Sequence, residues 1–226
     1  MKASKLLWVL LAVLLAATLV IGCDDGSGDD DKGPVYLGAL ADWSIVRSSE
    51  DSTTPTSAFS ITSSNDGGDT VMKLVWKVAS QWQAVQMWAP VPASFPIEEY
   101  DGLTFDIKHD SVANNCLVVM REQSQANAWE IGNEYSGGDE WVTIKLPFID
   151  AEDAGWGTAF SEADFPEWLV ATKDSSNPKL LYLNPMLNGG VEGNIADNSY
   201  TTYFKNIGFY KGEPDNPTAI LIIWKF

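Results

Sequence analysis

Apolar and polar residues alternate along several segments of this chain, and the clearest of these segments lie between residues 100 and 148. Residues 103–108 and 141–146 both alternate with a period of two, which is typical of a strand with one buried face. Between them, residues 116–120 are apolar on both faces, and residues 129–135 form a further strand-like segment. Because glycine-containing sequence separates some of these segments, residues 100–148 predict a β-meander.

Similar strand-like segments lie on both sides of this region. They are residues 35–40, 43–46, 58–62, 71–78, 82–89, 180–184, 200–210 and 219–226. Residues 149–179 show no sustained period and predict a long loop with one helical turn near residues 161–165. Many short strands with almost no helical period predict an all-β fold, an antiparallel jelly-roll β-sandwich.

The first 22 residues differ in character from the rest of the chain. Lys2 and Lys5 give a positive start, and residues 6–21 are apolar apart from Thr18. This arrangement is typical of a signal peptide. The apolar run is short for a membrane span, and no basic cluster follows it.

The end of the apolar run has a motif of its own. Residues 20–23, Val-Ile-Gly-Cys, resemble the bacterial lipobox, which implies that Cys23 carries lipid and becomes the first residue of the mature protein. Residues 23–33 are rich in aspartate and predict a flexible tether. Residues 34–226 then form one jelly-roll domain. The expected location is the bacterial cell envelope, with the protein lipid-anchored at the outer membrane or the cell surface.

The net charge of the chain is −17, and removing Lys2 and Lys5 leaves 12 basic against 31 acidic side chains, a net charge of −19. Such a charge argues against nucleic acid, anionic membrane surfaces and acidic polysaccharides, and it favours a neutral partner. Cys116 is the one cysteine besides Cys23, so no disulfide links the mature domain within the chain. Its apolar neighbours predict an inert thiol in the core.

Three segments resemble the successive signatures of galactose-binding-like jelly-roll domains, many of which are carbohydrate-binding modules. They are residues 100–107 (YDGLTFDI), 141–148 (WVTIKLPF) and 204–210 (FKNIGFY), and their order and spacing match over residues 60–210. The resemblance implies a jelly roll that binds carbohydrate. In such modules an acidic residue that helps to bind a structural calcium ion often stands where Asn206 stands here. Because asparagine offers only a neutral oxygen, calcium stays unassigned and the metal site unknown.

A sugar site needs flat aromatic surfaces with amide, carboxylate or guanidinium groups beside them. In the alternation of residues 82–89, Trp82, Gln86 and Trp88 share one face and meet this requirement. The resemblance adds residues on neighbouring strands of the sheet that would bind the ligand, namely Arg121, Trp129, Tyr182 and Asn184.

A structural interpretation stands beside each of these assignments. Tryptophans in a sandwich more often lie in the core or on a sheet surface, and this applies to Trp43, Trp76, Trp129, Trp141 and Trp224. Arg121 could equally form an ordinary surface salt bridge. His109, the only histidine, precedes Asp110 in a polar turn, where we expect it to be solvated.

Residues 129–135, WEIGNEY, faintly resemble the two-glutamate strand of jelly-roll glucan hydrolases, but its central aspartate is absent. In a regular strand Glu130 and Glu134 would lie about 13 Å apart, which is too far for a catalytic pair. No serine elbow, zinc-ligand cluster or phosphate-binding loop occurs in the sequence.

We therefore expect a protein that is not an enzyme. The prediction is a non-catalytic carbohydrate-binding lipoprotein that needs no cofactor and holds a neutral polysaccharide or oligosaccharide at the cell surface. Two alternatives remain open: a structural or assembly protein that binds protein partners of the envelope, and a glucan hydrolase that uses Glu130 and Glu134.

Overall fold

The computed structural model describes only part of the 226 residues. The described residues are 38–46, 56–109, 114–122, 128–132, 138–154, 165, 168–169, 178–187, 195 and 198–226. The predicted signal peptide, Cys23 and the acidic tether lie outside them. No helix in the described part of the chain is long and apolar enough to cross a membrane.

Twelve strands form the described part of the fold. In chain order they are β1 (Ser44–Val46), β2 (Ser60–Asp66), β3 (Asp69–Trp76), β4 (Gln86–Pro90), β5 (Gly102–His109), β6 (Asn114–Glu122), β7 (Ala128–Gly132), β8 (Val142–Pro147), β9 (Glu152–Asp153), β10 (Lys179–Leu187), β11 (Tyr200–Glu213) and β12 (Asn216–Trp224). Short 3₁₀ turns lie at Leu40–Asp42, Thr56–Ala58, Ile97–Glu99 and Phe148–Asp150.

These strands form two six-stranded sheets, and every pairing between them is antiparallel. Sheet A has the order β2-β3-β11-β5-β8, with β12 also paired to β11, and sheet B has the order β1-β4-β10-β6-β7-β9. The predicted fold class, an all-β antiparallel jelly-roll sandwich, is therefore confirmed.

The predicted meander is wrong, although its strands exist. β5 pairs with β8 in sheet A, whereas β6 pairs with β7 in sheet B. The chain therefore crosses from one sheet to the other after β5 and returns before β8. Strand alternation shows which side chains are buried, but it does not show which strand lies next to which.

The core lies between the sheets and takes the inward residues of both. Leu103, Phe105 and Ile107 of β5 are buried there, as their alternation predicts. Cys116 is 3% exposed, and burial raises the pKa of its thiol above the usual value. This environment confirms the prediction of a buried thiol, because the reactive thiolate form is disfavoured there.

His109 lies in the core, so the prediction of a solvated histidine is wrong. It is the last residue of β5, it has the same strand parity as Ile107, and it is fully buried. Its Nδ1 lies 2.8 Å from the hydroxyl oxygen of Thr202, which also accepts a hydrogen bond of 3.0 Å from Trp76 Nε1. The strand extends through position 109, where the sequence predicts a turn.

Residues 149–179 are described only in part. Phe165 is helical, within the segment where a helical turn is predicted, and Trp168 and Leu169 are helical as well. All three side chains are buried in the core. Phe165 and Trp168 pack beside Trp129 of β7.

Candidate functional site

The outer face of sheet B, which points away from sheet A, holds a line of side chains that crosses five strands. Along it Trp88 lies opposite Tyr182, Tyr182 opposite Val119, Val119 opposite Glu130, and Glu130 opposite Glu152. We call this line the sheet-B row. Trp88 and Glu130 are three strand spacings apart, or roughly 14 Å. The sheet-B row therefore has an aromatic end at Trp88 and an acidic end at Glu130 and Glu152, both on one surface.

Trp88 is the accessible aromatic residue of this row. Its side chain is half-buried, and its ring centroid lies 6.2 Å from that of Tyr182, with 35° between the ring planes. Beneath it a small apolar cluster of Val119, Ala128, Leu180 and Tyr182 is buried on this outer face. The cluster supports the indole from one side and leaves part of its surface open to a ligand.

Arg121 lies next to this row on the same face of β6. Its guanidinium carbon is 4.5 Å from the ring centroid of Tyr182, a cation–π contact that holds the planar group over the ring. Burial raises the pKa of the Tyr182 phenol, and the positive charge of Arg121 partly opposes that rise. Tyr182 is only 1% exposed, so it supports Trp88 and Arg121 and offers no open ring face of its own.

Gln86 and Trp82 do not belong to one strand, which corrects the prediction for residues 82–89. β4 begins at Gln86, which is half-buried and faces the same side as Trp88. Trp82 lies in the preceding turn with a φ of 64°, a left-handed value that is uncommon for a tryptophan. Its N–H donates a 2.8 Å hydrogen bond to the carbonyl of Leu187, and its side chain is 61% exposed. Sheet alternation therefore does not set the direction of Trp82.

Asn184 has the predicted strand position but no open side chain. It is 2% exposed, and its Oδ1 accepts a 3.0 Å hydrogen bond from the backbone N–H of Met87. This contact joins β10 to β4 beyond the last regular pair, Tyr182 with Trp88. The amide of Asn184 therefore serves the strand pairing that positions Gln86 and Trp88.

Trp129 is in the core, so its predicted place on the ligand face is wrong. Its side chain is 6% exposed, and its ring lies 5.3 Å from Phe165 and 6.5 Å from Trp168 between ring centroids. In β7 the inward positions are Trp129 and Ile131, which leaves Glu130 on the outer face. The alternation of Trp129 and Ile131 with Glu130 in the sequence already indicates that the apolar set is the buried one.

The sequence did not reveal the pairing of Glu130 with Glu152. The two residues are directly opposite in the β7–β9 ladder, and burial first, then the charge of Glu152, raises the pKa of Glu130. Glu134, the predicted partner of Glu130, lies outside the described residues. β9 is only two residues long, so no alternation could identify it.

A metal site finds no support in the residues that the structure describes, because no group of three or more His, Cys, Asp or Glu side chains is arranged to hold an ion. Asn206, at the position that is often acidic in similar modules, donates a 2.7 Å hydrogen bond from Nδ2 to Asp106 Oδ2. Calcium remains unassigned.

No protein-family model and no curated protein matches the chain. Among solved structures, the chain is similar to a family 11 carbohydrate-binding module from Clostridium thermocellum in complex with a β-1,3-1,4-mixed-linked tetrasaccharide. The identity is 14%, the TM-score 0.48, and the match covers 79% of this chain and 91% of that chain.

A second similar structure is the family 30 carbohydrate-binding module of a cellulosomal cellulase of Clostridium thermocellum, at 14% identity and a TM-score of 0.43. That match covers 76% of this chain and 94% of the module. Both similar structures are described as carbohydrate-binding modules.

Proposed function

We propose that this protein is a non-catalytic carbohydrate-binding lipoprotein whose sheet-B outer face holds a neutral polysaccharide or oligosaccharide at the cell surface. The observation that carries the proposal is the grouping of Gln86, Trp88 and Arg121, all partly open, on one face of one sheet. Trp82 adds an exposed indole in the turn before β4.

The chemistry of this group suits a pyranose. The C–H face of the sugar ring packs on the indole of Trp88, while its hydroxyls hydrogen-bond with the amide of Gln86 and the guanidinium of Arg121. Tyr182 and Val119 in the middle of the row are buried, so the contacts of a glycan chain lie at the two ends of the row. Glu130 and Glu152 then accept hydrogen bonds from hydroxyls at the far end.

Isothermal calorimetry of the detergent-solubilised full chain with a soluble β-glucan and a soluble β-mannan tests the proposal. Saturable binding of either polymer without release of new reducing ends supports it. Absence of binding to both polymers overturns it.

A second candidate function rests on the opposed pair Glu130 and Glu152. A carboxyl with a raised pKa beside a second carboxylate is a known arrangement in glycoside hydrolysis. Under that alternative the calorimetry samples accumulate reducing ends, and Glu130→Gln abolishes the accumulation. We expect neither result, because Glu130 and Glu152 lie side by side on one face of the sheet, whereas the carboxyl groups of a glycosidase flank the scissile bond.

Membrane attachment through Cys23 is the localisation part of the proposal. Cys23→Ala is expected to move the protein from the membrane fraction to the soluble fraction, or to leave it unprocessed, since lipid is its only proposed anchor. Fractionation of cells with immunoblotting measures this change, and Cys116→Ala, which removes the buried cysteine, serves as the control. Equal membrane partitioning of Cys23→Ala and the native chain would contradict the prediction.

A further inference from the structure

The outer face of sheet A, on the opposite side of the sandwich, carries a second line of aromatic and charged side chains. Lys73 lies opposite Tyr203, and Tyr203 lies opposite Lys108. Trp141 follows immediately, because Val142 lies opposite Ile107. We call Lys73, Tyr203, Lys108 and Trp141 the sheet-A row. Two flat rings thus alternate with two ammonium groups across four neighbouring chain segments.

Contacts within this row hold the rings in place. Trp141 Nε1 donates a 2.7 Å hydrogen bond to Asp66 Oδ2, and Lys108 forms an ion pair with the same carboxylate. The hydrogen bonds from Lys108 and Trp141 lower the pKa of Asp66. Lys108 Nζ also lies 5.0 Å from the ring centroid of Tyr203 and 5.2 Å from that of Trp141. A ring that is fixed in this way loses little conformational entropy when a ligand packs on it.

Polar groups that suit sugar hydroxyls surround the two rings. Asp106 accepts hydrogen bonds from Asn206 at 2.7 Å and from Thr143 at 2.6 Å, and Lys205 Nζ lies 4.6 Å from the Trp141 ring centroid. These amide, hydroxyl, carboxylate and ammonium groups lie beside half-buried aromatic rings. A sugar site needs this combination of groups.

Charge selects the kind of ligand. Around the row, Lys73, Lys108 and Lys205 lie beside Asp66, Asp69 and Asp106, and Lys145 on the same face of β8 adds one positive charge. In a chain with a net charge of −17, this face is therefore close to neutral. A neutral ligand approaches it without a charge penalty, whereas a polyanion meets the repulsion of the whole protein.

We infer that the outer face of sheet A is a second carbohydrate-binding surface, and that its ligand is a neutral glycan chain packed on Trp141 and Tyr203. The inference rests on the proposed function for the ligand class, but it concerns a different sheet and different residues. The two sheets pack about 10 Å apart, and their outer faces point in opposite directions. One protein molecule therefore holds two glycan chains and cross-links them.

Calorimetry with short β-glucan and β-mannan oligosaccharides, each added to the detergent-solubilised full chain, tests the inference. The native protein is expected to bind two oligosaccharides per chain. Trp141→Ala and Trp88→Ala are each expected to bind one, and the double variant none. With a long soluble β-glucan, light scattering is expected to show cross-linked complexes for the native protein and none for either single variant.

Two matched variants separate a binding role from a structural one. Trp141→Phe is expected to retain the second site because it keeps a flat ring, although it loses the hydrogen bond to Asp66. Tyr203→Ala is expected to weaken glycan binding at that site at least several-fold. Thermal melts of all variants show whether each is folded. If the native protein binds one oligosaccharide per chain, and Trp141→Ala binds one as well, this inference is overturned while the proposed function stands. Absence of any binding by the native chain overturns both.

Discussion

Replacing Trp129 by alanine is expected to lower the free energy of unfolding by about 3 to 5 kcal/mol, the usual cost of removing a large aromatic side chain from a core. The ring is 6% exposed and packs against Phe165 and Trp168. Phe165 in turn contacts Phe148, at 5.1 Å between ring centroids, so the cavity would lie among several aromatic residues that cannot all move to fill it. Urea denaturation followed by circular dichroism measures the change.

Trp82→Ala is the matched control for this experiment, because it removes the same side chain from a position that is 61% exposed. Its free energy of unfolding is expected to change by less than about 1 kcal/mol, as is usual for exposed positions. If Trp129→Ala unfolds at the same urea concentration as the native protein while glycan affinity falls, Trp129 belongs to the binding site and its position in the core is wrong.

Replacing Trp88 by alanine is expected to lower glycan affinity by about 1 to 3 kcal/mol, or roughly 5- to 150-fold, at the sheet-B site. The indole supplies the flat surface for the sugar, whereas Gln86 and Arg121 supply only polar contacts. The fold should survive, because Trp88 is half-buried on an outer face and its removal leaves a surface depression in place of a closed cavity. Calorimetry with β-glucan or β-mannan and a thermal melt on the same sample measure both effects.

Ile149→Ala is the control for loss of exposed apolar surface, since Ile149 is 83% exposed and lies in the 3₁₀ turn after β8, outside both rows. The glycan affinity of Ile149→Ala is expected to equal that of the native protein. A collapsed melting temperature of Trp88→Ala would assign Trp88 to the core. A preserved melt with unchanged affinity and unchanged stoichiometry would place the binding site elsewhere.

The sequence by itself determined most of the strands and the fold class. Alternation located β3, β5 and β8 to within one or two residues, because the period of two depends only on each strand having one wet face. Residues 65–69 indicate the hairpin of β2 and β3, because Gly67 and Gly68 adopt positive φ values that glycine accepts without strain. These signals are local, and for that reason they could be read from the chain alone.

The candidate site was predicted in part for the same reason. Gln86 and Trp88 are two residues apart in one strand, so their common face follows from strand geometry. In residues 180–184, Leu181 and Leu183 are inward, so strand alternation gives Tyr182 and Asn184 the outward parity. That Tyr182 and Asn184 would be buried on an outer face could not be predicted, because their burial comes from side chains on other strands.

Only the tertiary structure shows which strands are neighbours, and this strand pairing brings the residues of both rows together. Trp88, Tyr182 and Glu130 come from strands far apart in sequence, as do Lys73, Tyr203 and Trp141. It also placed Trp129 and His109 in the core, where packing against Phe165 and Thr202 outweighs any local polar signal. Pairing between distant strands depends on the fit of whole side-chain surfaces, whereas alternation along one strand depends only on the direction of each side chain.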